Sequence, residues 1–287
     1  MPAPPHPPAP SGPPGSDRPA LADLRDLAAE LATAAAALLV EGLDRTRRSV
    51  ETKTSTTDLV TDMDRLSERT IVEGILARRP HDSILGEEGS DHVGPSGLRW
   101  IIDPIDGTTN YVYGHPGFAV SIAAEWTDPT TGRAEVVVGA VANPLHHELF
   151  TAVLGGGATR NGALIGCSSE TDLAQALVAT GFSYDSNRRG RQAQVLTHLL
   201  PVVRDIRRMG AASVDLCSVA CGRVDAYYEK GLAPWDHAAG ALVASEAGAV
   251  VGDLAGGAPS GAFTLAAAPA LFEPLGDRLR AAGAADA

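Results

Sequence analysis

Trp100-Ile101-Ile102-Asp103-Pro104-Ile105-Asp106-Gly107-Thr108-Thr109-Asn110 is the stretch on which the fold turns. Its first three residues are bulky and apolar, which reads as a buried strand ending at Asp103. Pro104 then fixes the backbone and Gly107 allows a sharp turn. Two carboxylates three residues apart therefore leave one strand end together. They can project into a single spot at the carboxyl edge of a sheet. An Asx-turn followed by a helix N-cap would account for the same pattern if it stood alone.

It does not stand alone. Gly86-Glu87-Glu88-Gly89 also follows a short apolar strand, Ser83 to Leu85, and has no Lys or Arg close by in sequence. Lys230-Gly231-Leu232-Ala233-Pro234-Trp235-Asp236 is a third place where an acid meets the end of an element. Asp236 opens a helix there, where N-capping is the purely structural alternative. Several hard oxygen ligands at element ends flanking a sheet suit Mg²⁺.

Outward from these motifs, helix and strand patterns alternate. Leu21, Leu24, Leu27, Leu31 and Leu38 fall near one face of a helix, and Leu66, Ile71, Ile75 and Leu76 form a stripe on a second helix, Asp64 to Arg79, stopped by Pro80. Phe118 to Glu125, Val136 to Asn143 and Glu148 to Leu154 read as strands of an antiparallel or mixed sheet, with turns at Gly155-Gly156-Gly157 and Asn161-Gly162. In the second half, strands are expected over 177–180, 205–209, 224–228, 249–252 and 263–267. Helices are expected over 191–203, 213–221, 235–247 and 270–282. Such alternation means an α/β (α+β) fold with a sheet covered by helices. Residues 20–287 read as a single domain whose two sub-halves meet near 155–166.

Composition narrows the function. Lys+Arg is 23 against Asp+Glu 35, a formal net charge of −12. That excludes a general nucleic-acid binder, which needs a basic surface, and adhesion to anionic lipid. The run Leu31 to Val40 is far shorter than a membrane span needs. Residues 1–19 hold nine of the twenty prolines and almost no large apolar residue, so a disordered tail without a secretory signal is expected. Cys167, Cys217 and Cys221 are too few and too scattered for a disulfide framework, and reduced cysteines imply a cytoplasmic protein.

The stretches Gly86-Glu-Glu, Trp100 to Asn110 and Trp235-Asp-His-Ala-Ala-Gly closely resemble the inositol monophosphatase family, in the family's order, over roughly residues 20 to 282. The resemblance implies a layered αβαβα sandwich and a Mg²⁺-dependent, lithium-sensitive phosphomonoesterase acting on a small phosphorylated polyol. It also implies a homodimer. Carried over position by position, it makes Glu87, Asp103 and the carbonyl of Ile105 ligands of a first Mg²⁺, and Asp103, Asp106 and Asp236 ligands of a second. Glu87 would hold a third, weaker metal, with Glu88 just behind. Thr108 and Asp64 resemble the pair that orients and deprotonates the attacking water. The amides of Gly107 and Thr108 fall where phosphate is cradled, Lys53 matches a lysine near the metals, and Asp106, Ala212 and Glu229 match positions that contact the inositol ring. Tyr111 and Gly89 depart from the family's usual Phe and Ser, and neither change removes a ligand.

The chemistry is coherent. A phosphate monoester is a dianion, and a protein of net charge −12 would repel it unaided. Four carboxylates carry a charge of about −4, which two or three Mg²⁺ raise to about 0 or +2. Cys167 lacks a C-x₅-R signature, which argues against a cysteine phosphatase. The readings left open are inositol 1-phosphate, the same chemistry on histidinol phosphate, fructose 1,6-bisphosphate or 3′-phosphoadenosine 5′-phosphate, and a non-catalytic protein associated with the transcription machinery.

Overall fold

The computed structural model describes residues 20–49 and 56–287, so the tail 1–19 and Lys53 lie outside the described residues. The chain opens with two long helices, α1 (Leu21–Ser49) and α2 (Thr56–Arg78). Leu24, Leu27, Leu31, Leu39 and Leu43 of α1 are buried together with Ala28, Ala32, Ala35 and Ala36. Leu38, expected on this face, is only half-buried, because Leu39 takes the inward position one residue on. The stripe expected on α2 is also corrected. Leu66 is exposed, and the buried line runs Asp64, Ser67, Glu68, Ile71, Ile75. These residues keep a helical spacing, but the first half of the inward face is polar because it meets the acidic end of the sheet.

Seven strands follow as one sheet in sequence order: β1 (Ser83–Gly86), β2 (Leu98–Asp106), β3 (Ala119–Thr127), β4 (Ala134–Asn143), β5 (Glu148–Val153), β6 (Gly157–Arg160) and β7 (Ala163–Leu164). Only β1 and β2 are parallel; the rest form an antiparallel meander. Six consecutive residues of β3 are buried, as a strand covered on both faces requires. Strand β2 runs on to Asp106 rather than ending at Asp103. A six-residue helix, α3 (Thr108–Tyr113), leaves it immediately. Strands β6 and β7 were hidden between the two turns; Asn161 and Gly162, both at positive φ, connect them as a tight hairpin.

The second sheet has the order β11-β12-β10-β8-β9, from β8 (Leu177–Thr180), β9 (Asp205–Arg207), β10 (Ala226–Glu229), β11 (Val250–Gly252) and β12 (Thr264–Ala267). Helices α5 (Ala212–Ala220) and α6 (Pro234–Glu246) lie between the sheets, and α6 packs on β3, β4 and β5 of the first as well as β11 and β12 of the second. All nine residues of α5 and seven in a row of α6 are buried, as helices covered by a sheet on each side require; those of α6 are all apolar or glycine, whereas α5 also buries Ser213, Asp215 and Ser218. Helices α4 (Ser186–Leu199) and α7 (Phe272–Ala281) close the outer face of the second sheet, and α4 starts five residues earlier than expected, with Asp185 accepting the Arg188 amide as its cap. The layers run α1/α2, sheet, α5/α6, sheet, α4/α7, which is the expected αβαβα sandwich, with an apolar core at each of its interior levels. Among the described residues no helix is long and apolar enough to cross a membrane.

Candidate metal centre and active site

Residues three apart on a regular strand point to opposite faces. Asp103 and Asp106 escape this rule because β2 gains one residue on β3 between them: Asp103 pairs with Ser121, and Asp106 pairs with Ala119. The bulge turns both carboxylates the same way. Pro104, which has no N–H to give a ladder, sits inside it, and its carbonyl accepts the Ser67 hydroxyl of α2 at 3.0 Å. Asp103 Oδ1 accepts the Ile105 amide at 3.0 Å, and the Ile105 carbonyl accepts the Thr108 hydroxyl at 3.0 Å. Gly107, at φ 86°, makes the turn into α3 that a side chain would strain.

Asp236 comes from the other side of the molecule, in the first turn of α6. It reaches back to accept the Ala233 amide with Oδ2 at 2.6 Å. The N-cap position expected for it belongs instead to Ala233; Asp236 is the third residue of the helix and bonds back to the cap amide, which occupies one oxygen only. Ligand oxygens from Asp103, Asp106 and Asp236 all lie within 4.8 Å of one another. Glu87 is exposed overall, but its carboxyl comes within hydrogen-bonding reach of Asp103.

Electrostatics show the cost of this grouping. Burial raises Asp106 to about 7, with Asp236 adding to the shift; the Ser213 hydroxyl and amide oppose it. Burial, then the charges of Asp106, Glu87 and Asp236, hold Asp103 well above the usual carboxylate range. Burial also raises Glu87 and Asp236. None of these four carboxylates pairs with a Lys or Arg among the described residues. A clustered set of hard oxygen donors without a cation of its own fits a divalent metal ion, which would supply the missing charge.

The four acids line one pocket of about 350 Å³ together with Ile105, Gly107, Thr108, Ala212 and Glu229, so nine of the expected site residues meet there. Ala212 contributes its amide to Asp106 Oδ1 at 3.2 Å. Glu229, at the end of β10, accepts the Tyr227 hydroxyl at 2.7 Å. Burial pushes it to about 7, against the pull of Tyr227 and Arg208. Asp64 is buried on α2 and raised to about 7, first by burial and then by Glu88, Glu87 and Glu68; it stands behind the pocket rather than in its lining. Glu88 is exposed and also lies outside the lining. Lys53 lies outside the described residues.

Two residues escaped sequence reasoning. Glu68 of α2 accepts the amides of Glu88 and Ser90 at 2.9 and 3.0 Å and so holds the Glu87 loop. Ser213 gives both its amide, at 2.7 Å, and its hydroxyl to Asp106 Oδ2. Neither has a local signal; each bonds a loop or strand far away in sequence.

A model of the inositol monophosphatase family matches residues 20–282. The inositol-1-monophosphatase SuhB of Mycobacterium tuberculosis is 42% identical over 278 residues, covering 88% of this chain and 92% of its own. A protein of Pasteurella multocida named Nus factor SuhB is 39% identical, covering 89% and 95%. Among solved structures, M. tuberculosis SuhB superposes with a TM-score of 0.78 at 40% identity, covering 92% of this chain and 98% of that one. An inositol monophosphatase from Anabaena gives 0.78 at 35% identity, covering 91% and 96%.

Proposed function

Because the chain belongs to the inositol monophosphatase family, we propose that it is a Mg²⁺-dependent phosphomonoesterase whose substrate is inositol 1-phosphate. The observation that carries the metal dependence is the meeting of Asp103, Asp106 and Asp236 oxygens within 4.8 Å, with no Lys or Arg paired to any of the three among the described residues. The name of the mycobacterial relative supports the choice of ester. Glu87, Asp103 and the Ile105 carbonyl would hold one Mg²⁺, Asp103, Asp106 and Asp236 a second, and Glu87 a third. Bound Mg²⁺ attracts the phosphate, acidifies water and stabilises the leaving alkoxide.

The chain's own groups do the rest. The amides at Gly107 and Thr108, at the start of α3, offer donors to phosphoryl oxygens. The Thr108 hydroxyl donates to Ile105, which leaves its lone pairs to accept a hydrogen bond from the attacking water. Asp64, with a pKa of about 7, is suited to hold the proton that water gives up. The water oxygen bonds to phosphorus as its proton passes to Asp64, the ester P–O bond breaks, and the alkoxide leaves as the alcohol by taking a proton from solvent, to which Asp64 returns its own. Glu229 lines the pocket beside the metal ligands, where it can accept hydrogen bonds from ring hydroxyls, and Ala212 supplies a small wall. Lithium sensitivity and a homodimer follow from the family resemblance, a cytoplasmic location from the three free cysteines, and all belong to the same proposal.

The test is phosphate release from inositol 1-phosphate, histidinol phosphate, fructose 1,6-bisphosphate and 3′-phosphoadenosine 5′-phosphate, each with Mg²⁺ and with chelator. The expected result is Mg²⁺-dependent release with the highest kcat/KM on inositol 1-phosphate. Release from none of them would favour the second reading, a transcription-associated protein, for which the Nus factor name of the Pasteurella relative speaks.

A further inference from the structure

Past α7 the chain turns back on itself. Gly283, at φ 71°, follows the last helical turn. Its amide donates to the Arg280 carbonyl, and the Ala284 amide donates to the Leu279 carbonyl, both at 3.0 Å. This pair of bonds closes a helix on a left-handed glycine and sets the next residue against the helix end; Leu279 and Ala284 are both buried in the outer core. The Asp286 amide then donates to the Gly283 carbonyl at 3.1 Å, a second turn after which Ala287 is buried again. Residues 283–287 lie beyond the 20–282 that the family model matches.

The returned segment covers the back of the wall that carries Glu229. Successive residues of a strand face opposite ways, and β10 keeps to this at its end. Tyr227 belongs to the core between the sheets, and its hydroxyl donates to Glu229. Tyr228 belongs to the outer core with Ala284 and Ala287. Lys230 donates its ammonium to the Ala285 carbonyl. Phe182, Glu229 and Lys230 line both the metal pocket and a narrow cleft behind it that Ala284 and Ala287 also line. The Glu229 carboxylate lies close over Gly181, where a Cβ would collide with it. Its seat therefore has Tyr227 and Gly181 on the pocket side and the returned segment behind. The Gly231 amide is pinned separately, to the Gly261 carbonyl at 3.0 Å, so a shift at Lys230 is not passed along the chain to Asp236.

We propose that residues 283–287 and Lys230 are a positioning clamp for Glu229: they fix the end of β10 from its outer face and so set where the Glu229 carboxylate meets the hydroxyls of the substrate. This rests on the phosphomonoesterase reading above. A site built to hydrogen-bond a hydroxyl discriminates only while its acceptor is in place, so the clamp governs the choice of alcohol and leaves the metals alone.

The experiment measures phosphate release from inositol 1-phosphate and from phenyl phosphate, an ester without ring hydroxyls. The proteins are wild type, a chain stopped after Ala282, Lys230→Met, and the two changes combined. Lys230→Met leaves Ala284 and Ala287 in place should the shortened chain fail to fold. The ratio of kcat/KM between the two esters should fall about tenfold in each variant. The fall should come through KM for inositol 1-phosphate, with the half-saturating Mg²⁺ concentration at its wild-type value. The combination should be no worse than either change alone, because both release the same contact. Lys230→Arg, which keeps a donor, should restore the ratio. A merely structural role lowers Tm and keeps the ratio, and an unchanged ratio in Lys230→Met overturns the clamp. An additive loss in the combination also overturns it, by making Lys230 a direct substrate contact. If wild type releases phosphate from neither ester at saturating Mg²⁺, the phosphatase reading falls and hydrogen exchange decides the clamp. Faster exchange of the β10 amides in Lys230→Met, restored in Lys230→Arg, supports it, and equal exchange overturns it.

Discussion

Ser213 grips a single oxygen of Asp106 twice, with its amide at 2.7 Å and with its hydroxyl, across 107 residues of chain. The pair ties the first turn of α5 to the end of β2 and so fixes a candidate metal ligand from the helix layer between the sheets. Both bonds favour the ionised carboxylate and oppose the burial that raises its pKa. Ser213→Ala removes one of them. The expected outcome is a loss of about ten- to a hundredfold in Mg²⁺ affinity, as for partners that orient metal ligands in general. The Mg²⁺ dependence of phosphate release reads it, and an unchanged half-saturating Mg²⁺ concentration refutes the role.

Asp106→Asn keeps the shape of the side chain and removes its charge. Phosphate release should be abolished, while the metal-free protein should melt close to wild type, because relieved repulsion from Asp236 and Asp103 is offset by an Asn NH₂ that must face either the Ala212 or the Ser213 amide. Activity within tenfold of wild type at saturating Mg²⁺ would sink the ligand assignment.

The pH dependence of stability follows from carboxylates that are raised in the fold. Asp64, Asp106 and Glu229 have folded values of about 7, against ordinary values of 3.8, 3.8 and 4.5. Between those limits the folded protein keeps protons that the unfolded chain has released. Their contribution to stability is therefore full below the ordinary values and is lost as pH rises through about 7. Metal-free protein should show a falling Tm from about pH 5 to about pH 7.5. Saturating Mg²⁺ should flatten that fall, and adding Mg²⁺ near pH 6.5 should release protons. A Tm without pH dependence in chelator, with no proton release, contradicts the grouping.

Asp215 of α5 is 1% exposed, and neither of its carboxyl oxygens has a hydrogen-bond partner among the described residues. Burial, then the charges of Glu229 and Asp106, hold it well above the usual range. Asp215→Asn should stabilise metal-free protein, by about 1–3 kcal/mol where wild type must ionise a buried group. The gain should be larger at pH 8 than at pH 5, since only the acid titrates. Denaturant melts at the two pH values measure it, and a loss of stability at pH 8 would show that the carboxylate is held by a partner.

Much was legible in the sequence because it is written locally. The strand–bulge–helix run from Trp100 to Tyr113 carries its apolar residues, its proline and its glycine in one short stretch, and the second-half elements fall within a few residues of their expected places. Misreadings gather where polar residues are buried. On α2 the apolar residue Leu66 faces solvent while Asp64, Ser67 and Glu68 face inward. A pattern rule that sends apolar residues inside has no way to see this, because their partners are the Pro104 carbonyl and the amides of Glu88 and Ser90.

By itself the sequence determined the kind of protein this is: three acidic motifs at element ends, the order in which they come, and the alternation that layers helices on sheets. Tertiary structure decided which oxygens meet. The extra residue of β2 opposite β3 turns Asp103 and Asp106 to one side, α6 brings Asp236 to them, and α5 brings Ser213. It also decided that Arg188 and Arg208 line the same pocket as Glu229, with no ion pair to either arginine among the described residues. The physical reason is range. Backbone preference and hydrophobic period act over a few residues and leave a trace in the sequence, whereas a hydrogen bond or a shared charge between residues a hundred apart depends on packing that no short stretch encodes.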